Sequence, residues 1–269
     1  MSDNVANALD GENHAIIAEI PKISDPGEMN RDQHNRADRF VIRIGNVAAW
    51  LFPILMIAII SQVFLRKAGH NQAWLDDMQW WIYGSAMLTG FGYAITTESH
   101  VRVDIFHAHF TAKKQARIEL FALGWCLLPF LILLTDNMVH YAASSVMNRE
   151  GANSPNGLHM LYLLKSLLPI LLTLAMIASV SVMVRHMKTL AKPALWNMLI
   201  AGFPAAWFAA ERFVHYVLWW FVRLTDSEIN PRRISKSDLL QPAMWYGLAI
   251  ILILIVVSFA LTRRNAEKV

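Results

Sequence analysis

Long apolar runs alternate with short polar breaks from Phe40 to Leu261. A helix needs about 20 apolar residues to cross hydrocarbon. Five runs predict such helices: 40–65, 74–97, 117–143, 161–187 and 243–261. The last is the clearest, because Leu248 to Val257 contains no polar side chain. A sixth run, 196–222, is apolar and aromatic but places Glu211, Arg212 and His215 on one helical face. It can lie flat in the membrane face with that stripe toward water, or cross with the stripe toward protein. The flat arrangement is the expectation, giving five crossings and an external C-terminus.

The polar breaks orient these helices. Arg31, Arg36, Arg39 and Arg43 precede the first run; Arg102, Lys113, Lys114 and Arg117 lie between the second and third; Arg185, Lys188 and Lys192 close the fourth. The opposite loops hold fewer cations: Arg66 and Lys67 in one, Arg149 in the other. Cations favour the cytoplasmic side, so the N-terminus and the 98–117 loop are expected there. The C-terminal charges conflict. Arg223, Arg232, Arg233 and Lys236 pull one loop inward, and Arg263, Arg264 and Lys268 pull the C-terminus inward. A single span between them cannot satisfy both.

Composition agrees with a membrane protein: 55% of residues are hydrophobic and 16% charged, outside the usual soluble range. The net charge of +4 is topological and implies no nucleic-acid partner. Residues 1–39 are polar and are read as a largely disordered cytoplasmic tail. The first apolar run starts too late for a secretory signal. The one cysteine, Cys126, lies in an apolar run and excludes an internal disulfide.

Ionisable groups inside spans are the first functional candidates. Asp136 and Lys165 lie in the outer parts of their helices, and an Asp136–Lys165 pair tying the third helix to the fourth is expected. The plain alternative is a snorkelling lysine and a hydrated aspartate. Asp76 and Asp77 open the second helix, where carboxylates meet the positive end of the dipole; a partner contact is the alternative. Ala86, Gly90 and Ala94 recur every four residues, a spacing that admits a close helix neighbour. Pro53, Pro129 and Pro169 predict bends. His100, His107 and His109 share a loop, but nothing supports a metal site. No two histidines match in depth on facing helices, as a membrane haem would need. A haem- or quinone-binding anchor of a redox complex is kept as the alternative function.

The order of several motifs is specific. Trp74-Leu75-Asp76-Asp77 opens one helix, and Thr89-Gly90-Phe91-Gly92-Tyr93 follows within it. The charged octet Glu98 to Ile105 contains His100-Val101-Arg102-Val103-Asp104-Ile105. Then come Leu127-Leu128-Pro129-Phe130, Glu150 through Leu158, and Tyr162 through Pro169. Across residues 40–190 this series resembles the DctQ family, the small membrane subunit of tripartite ATP-independent periplasmic (TRAP) transporters. It is nearest the branch labelled mannitol/chloroaromatic.

The resemblance implies an all-α integral membrane protein. It would have a four-helix module at 40–193; residues 194–269 depart from the family's pattern, and their own apolar runs make them a C-terminal extension expected to hold an interfacial helix and one further transmembrane helix. It implies a non-enzymatic scaffold in the bacterial inner membrane, with the N-terminus cytoplasmic. Its partners would be a large permease subunit, a periplasmic solute-binding protein and membrane lipid. It would hold no cofactor, and the sodium sites of the complex would lie on the large subunit. Asp77, His100, Arg102, Asp104, Glu150 and Lys165 fall on motif positions and are expected in structural or interface roles, Arg102–Asp104 or His100–Asp104 as a contact within the loop.

Overall fold

The computed structural model describes residues 27, 31–99, 109–152, 156–225, 234 and 238–266. The chain divides into two compact units, Met1–Gln33 and His34–Val269. The described part of the first is Gly27 and a 3-10 turn at Arg31–Gln33. The described residues of the second form helices and no strand: α1 Arg36–Lys67, α2 Ala73–Thr97, α3 Ala112–Met147, α4 Leu161–Leu190, α5 Leu195–Ala201, α6 Phe203–Thr225 and α7 Ala243–Ala266.

The helices extend the expected apolar runs by a few residues at most ends, because polar flanks continue the hydrogen-bond ladder beyond the hydrocarbon-like stretch. Prolines mark the irregularities. Pro53 cannot donate to the carbonyl four residues back, Ala49, and α1 breaks at Trp50, between Arg36–Ala49 and Leu51–Lys67. Pro129 cannot donate to Trp125, and α3 widens into a π-helical turn at Ala122–Leu127. Pro169 leaves α4 continuous. The expected single segment 196–222 is two helices, interrupted at Gly202.

Among the described residues, four helices are long and apolar enough to cross a membrane: α1, α3, α4 and α7. α4 is the centre. Half of its apolar window is buried, against 11% in α1 and in α7. Its Leu172, Ala175, Ala178, Val182 and Met183 meet Val41, Ile95 and Leu131 in one core. α2 is 25 residues long and carries Asp76, Asp77, Gln79 and Thr89, yet it is flanked by α1 and α4. Gly92 lets it approach α4 closely: a Cβ there would lie 3.7 Å from the Ala175 backbone.

Hydroxyls in the helices return their protons to the preceding turn. Thr89 donates to Ser85, Thr96 to Gly92 and Ser179 to Ala175, at 2.8, 3.1 and 2.9 Å. In a medium without water, this leaves each hydroxyl satisfied within its own helix.

α6 and α3 run side by side in the same direction. Gly124 of α3 abuts Ala201 and Gly202, and 12 positions later Asp136 meets Arg212 and Tyr216 of α6. The matching spacing carries the pairing through about three helical turns. The polar stripe of α6 thus faces protein. Of the two arrangements open to 196–222, these contacts favour the one in which the stripe turns toward a neighbouring helix.

Candidate functional site

The densest group of charged contacts joins three helix ends. α1 begins at Asn35, whose backbone N–H donates to Asp38 Oδ2 at 2.8 Å, the carboxylate half of a capping box. α2 ends at Glu98, which adopts a left-handed backbone (φ 53°). A residue with a Cβ pays about 1–2 kcal/mol for that conformation, yet it aims the Glu98 side chain at α4. There Arg185 answers both acids.

Arg185 is buried. Its Nη2 donates to Glu98 Oε1 at 2.5 Å and to the Thr96 carbonyl at 3.0 Å. Its Nη1 stands 3.6 Å from Asp38 Oδ2, and Asp38 is fully buried. The cation lies at the C-terminal carbonyls of α2 and the acid in the first turn of α1, so both helix dipoles add to the pairing. His186 Nε2 lies 3.4 Å from the same Glu98 oxygen. Burial pushes Glu98 up, but the hydrogen bonds and charges of His186 and Arg185 outweigh it and hold the carboxyl down at about 2. Asn35 Nδ2 donates to the Ser181 carbonyl at 3.1 Å, and Lys188 donates to Asn35 Oδ1 at 3.0 Å. This knot clamps α1, α2 and α4 together.

At the opposite ends of the helices the ties are looser. Asp77 Oδ2 accepts from the Leu158 N–H at 2.9 Å, holding the connection before α4 to the start of α2. Gln62, buried in α1, donates to Asp76, and Gln79 donates to Gln62; Arg66 stands 3.5 Å from Asp76. Glu150 accepts from Lys165 at 2.5 Å, and that contact holds the Glu150 carboxyl below its ordinary value. The Lys165 ammonium also sits over the Tyr141 ring, 4.1 Å from its centre.

The expected Asp136–Lys165 pair is corrected. Lys165 meets Glu150 and Tyr141, while Asp136 meets Tyr216 and Arg212. Asp136 lies five positions, about 7.5 Å of helix rise, inward of the tyrosine that Lys165 covers. The lysine stem points outward to the connecting loop instead. Asp136 therefore ties α3 to the extension and not to α4.

Among the other sequence candidates, Ala86 is buried, Ala94 is half-buried, and Gly90 is exposed with open space around it. The stripe of small residues does not form a single packed seam within this chain. His100, Arg102 and Asp104, with their expected loop contact, lie outside the described residues. The knot residues Asp38 and Arg185 were not among the candidates. Glu98 was visible as the first residue of the charged octet, and Arg185 as a loop-side cation; their pairing had no local signal.

Residues 55–189 match the family described as tripartite ATP-independent periplasmic transporters, DctQ component. The match reaches the family as a whole and not the mannitol/chloroaromatic branch. It lends no support to a haem- or quinone-binding anchor. No curated protein and no solved structure matches the chain.

Proposed function

The chain belongs to the DctQ component family of TRAP transporters, and from this membership we propose that it is the scaffold against which a large permease subunit works. It is a membrane protein of a transporter family, not of an enzyme family. The finer reading is that the complex takes up an organic acid or related solute, coupled to sodium, from a periplasmic binding protein in a bacterial inner membrane. The observation that carries the scaffold role is the contrast between a firmly clamped interior and a bare exterior. α1, α2 and α4 are locked by the Arg185 knot, while Ile57, Phe64, Trp80, Leu252 and Val256 present apolar side chains outward. Such faces suit a large apolar neighbour and lipid.

The test is a gentle solubilisation of native membranes through a tag on the N-terminal tail. A large permease is expected to co-purify in fixed ratio. A chain that instead emerges alone, carrying a visible chromophore, would overturn the reading.

The topology belongs to the same proposal. α4 descends to the cytoplasmic side at Lys188 and Lys192. α6 runs parallel to α3, so it leads outward, and α7 returns. Trp196 against Phe259, with ring centres 5.4 Å apart, supports this, because it sets the last turns of α7 beside the start of the extension. Six crossings then place both termini in the cytoplasm and satisfy Arg263, Arg264 and Lys268. A cysteine at Lys268, in a Cys126→Ser background, should resist an impermeant thiol reagent in intact spheroplasts and react once they are opened. Labelling before opening would contradict the arrangement.

A further inference from the structure

Between α3, α4, α5 and α6 runs a groove of about 590 Å³, within the range of small-ligand sites. Ala205, Ala206 and Ala209 of α6 form one wall with little side-chain bulk, and Ile132, Met176 and Val180 face them. From Val139 to Leu128 it follows α3 for 11 positions, about 17 Å. One leaflet of hydrocarbon is about 15 Å deep, half of the usual 30 Å. The groove is thus as long as a leaflet is deep.

Its charged groups gather at one end. Asp136 accepts from Tyr216 and stands 3.6 Å from Arg212 Nη1. Arg212 donates through Nε and Nη2 to both oxygens of Glu211, at 2.6 Å each. His140 Nε2 lies 2.9 Å from the Tyr216 hydroxyl. Among the described residues, the carboxylates of Asp136 and Glu211 face the one guanidinium of Arg212. An excess negative charge at this depth is costly unless a cation balances it.

We propose that the groove seats one acyl chain of a phospholipid whose headgroup carries a primary ammonium, a phosphatidylethanolamine. The ammonium lies toward Asp136 and pairs locally with its carboxylate, which Arg212, bidentate to Glu211, meets at 3.6 Å. The lipid phosphate lies toward the exposed part of Arg212. An anionic headgroup such as glycerol phosphate brings no cation and adds to the excess. The groove is therefore selective for the headgroup and not a surface that any lipid wets equally. This inference does not depend on the scaffold reading, since it concerns the full chain alone.

Native mass spectrometry of the delipidated full chain, titrated with dioleoyl phosphatidylethanolamine or dioleoyl phosphatidylglycerol, tests it. A charge-assisted hydrogen bond corresponds to about a tenfold difference in affinity. The wild-type chain is expected to retain the ethanolamine lipid about tenfold better. Asp136→Asn should bring the two lipids to near-equal retention. Ala209→Leu, which fills the groove one turn from Arg212 while leaving the charges in place, should lower retention of both. Equal retention of the two lipids by wild type would overturn the proposal. So would unchanged ethanolamine-lipid binding in Ala209→Leu, or no lipid retained at all, as expected if a partner helix fills the groove. Melting curves of each variant show that it is folded, and Ala206→Val offers a milder filling should Ala209→Leu not assemble.

Discussion

Arg185→Met lowers the stability of the purified protein by about 3–5 kcal/mol, the usual cost of removing one partner from a buried ion pair. For a chain of this size that is a fall in Tm of roughly 10 °C. Two effects combine. Asp38 is fully buried and loses the facing guanidinium. The Thr96 carbonyl and Glu98 lose the Arg185 donor. The shape of the lost side chain matters less, because methionine fills much of the same space. Arg185→Lys should recover part of the loss, since a point cation reaches one acid but not both together with a carbonyl. Adding Asp38→Asn to Arg185→Met should also recover part, because it removes the carboxylate that the methionine strands. If Arg185→Met melts within a degree or two of wild type, the knot does not hold the three helices together.

The pH dependence of the same site has a fixed sign. The folded Glu98 carboxyl is held at about 2, below its ordinary value of 4.5. Its contribution is therefore complete above the ordinary value and is lost as pH falls through about 2. The Tm gap between wild type and Glu98→Gln should stay level from neutral pH down to about 5, then narrow toward pH 2. A gap that closes well above pH 5 would contradict the assignment to the Glu98 carboxyl.

The membrane helices were legible because their signal is local and long. Runs such as 161–187 and 243–261 need no partner to be recognised, and the helices found there begin at the same residues. The missing donors of Pro53 and Pro129 foretold irregular turns, each about one turn before its proline, at the carbonyl left unbonded, whereas the bend expected at Pro169 does not interrupt α4. The pairings were not legible in the same way. Arg185 and Glu98 are 87 positions apart, and nothing in either neighbourhood fixes the rotation of α4 about its axis. The Asp136 contact was missed for a related reason. Distance to the helix ends fixes the depth of a backbone position and not of a side-chain tip, and a lysine four residues into α4 reaches outward as easily as inward. The small-residue stripe misled because a spacing of four tests only one face. Ala86 and Thr89 are buried, while Gly90 points to open space.

Gly124→Leu should detach the C-terminal extension from the four-helix core. A Cβ at Gly124 would lie 2.5 Å from the Ala201 carbonyl oxygen, 2.9 Å from the Gly202 Cα and 3.0 Å from the Met183 Cε. The methionine tip can yield, but two backbone atoms cannot move without shifting α5 and the start of α6. Overpacking of this kind costs about 1–3 kcal/mol, and here the strain falls on one joint. The Arg185 knot lies elsewhere on α4 and should survive, so the expected outcome is local. Cleavage by chymotrypsin at Trp196, whose ring packs on Phe259 while the extension is docked, should accelerate about tenfold, the factor that corresponds to about 1.4 kcal/mol of easier opening, while the 34–190 core resists. Gly90→Leu is the control: open space surrounds that position, and leucine favours helix by up to about 1 kcal/mol over glycine. Equal chymotrypsin sensitivity in the two variants would mean that the Gly124–Gly202 approach does not hold the extension, leaving the contacts of Arg212 and Tyr216 with Asp136 and His140 to anchor it on α3. If Gly90→Leu leaves the isolated chain intact but prevents co-purification of the large permease, the open face of α2 is where that subunit packs.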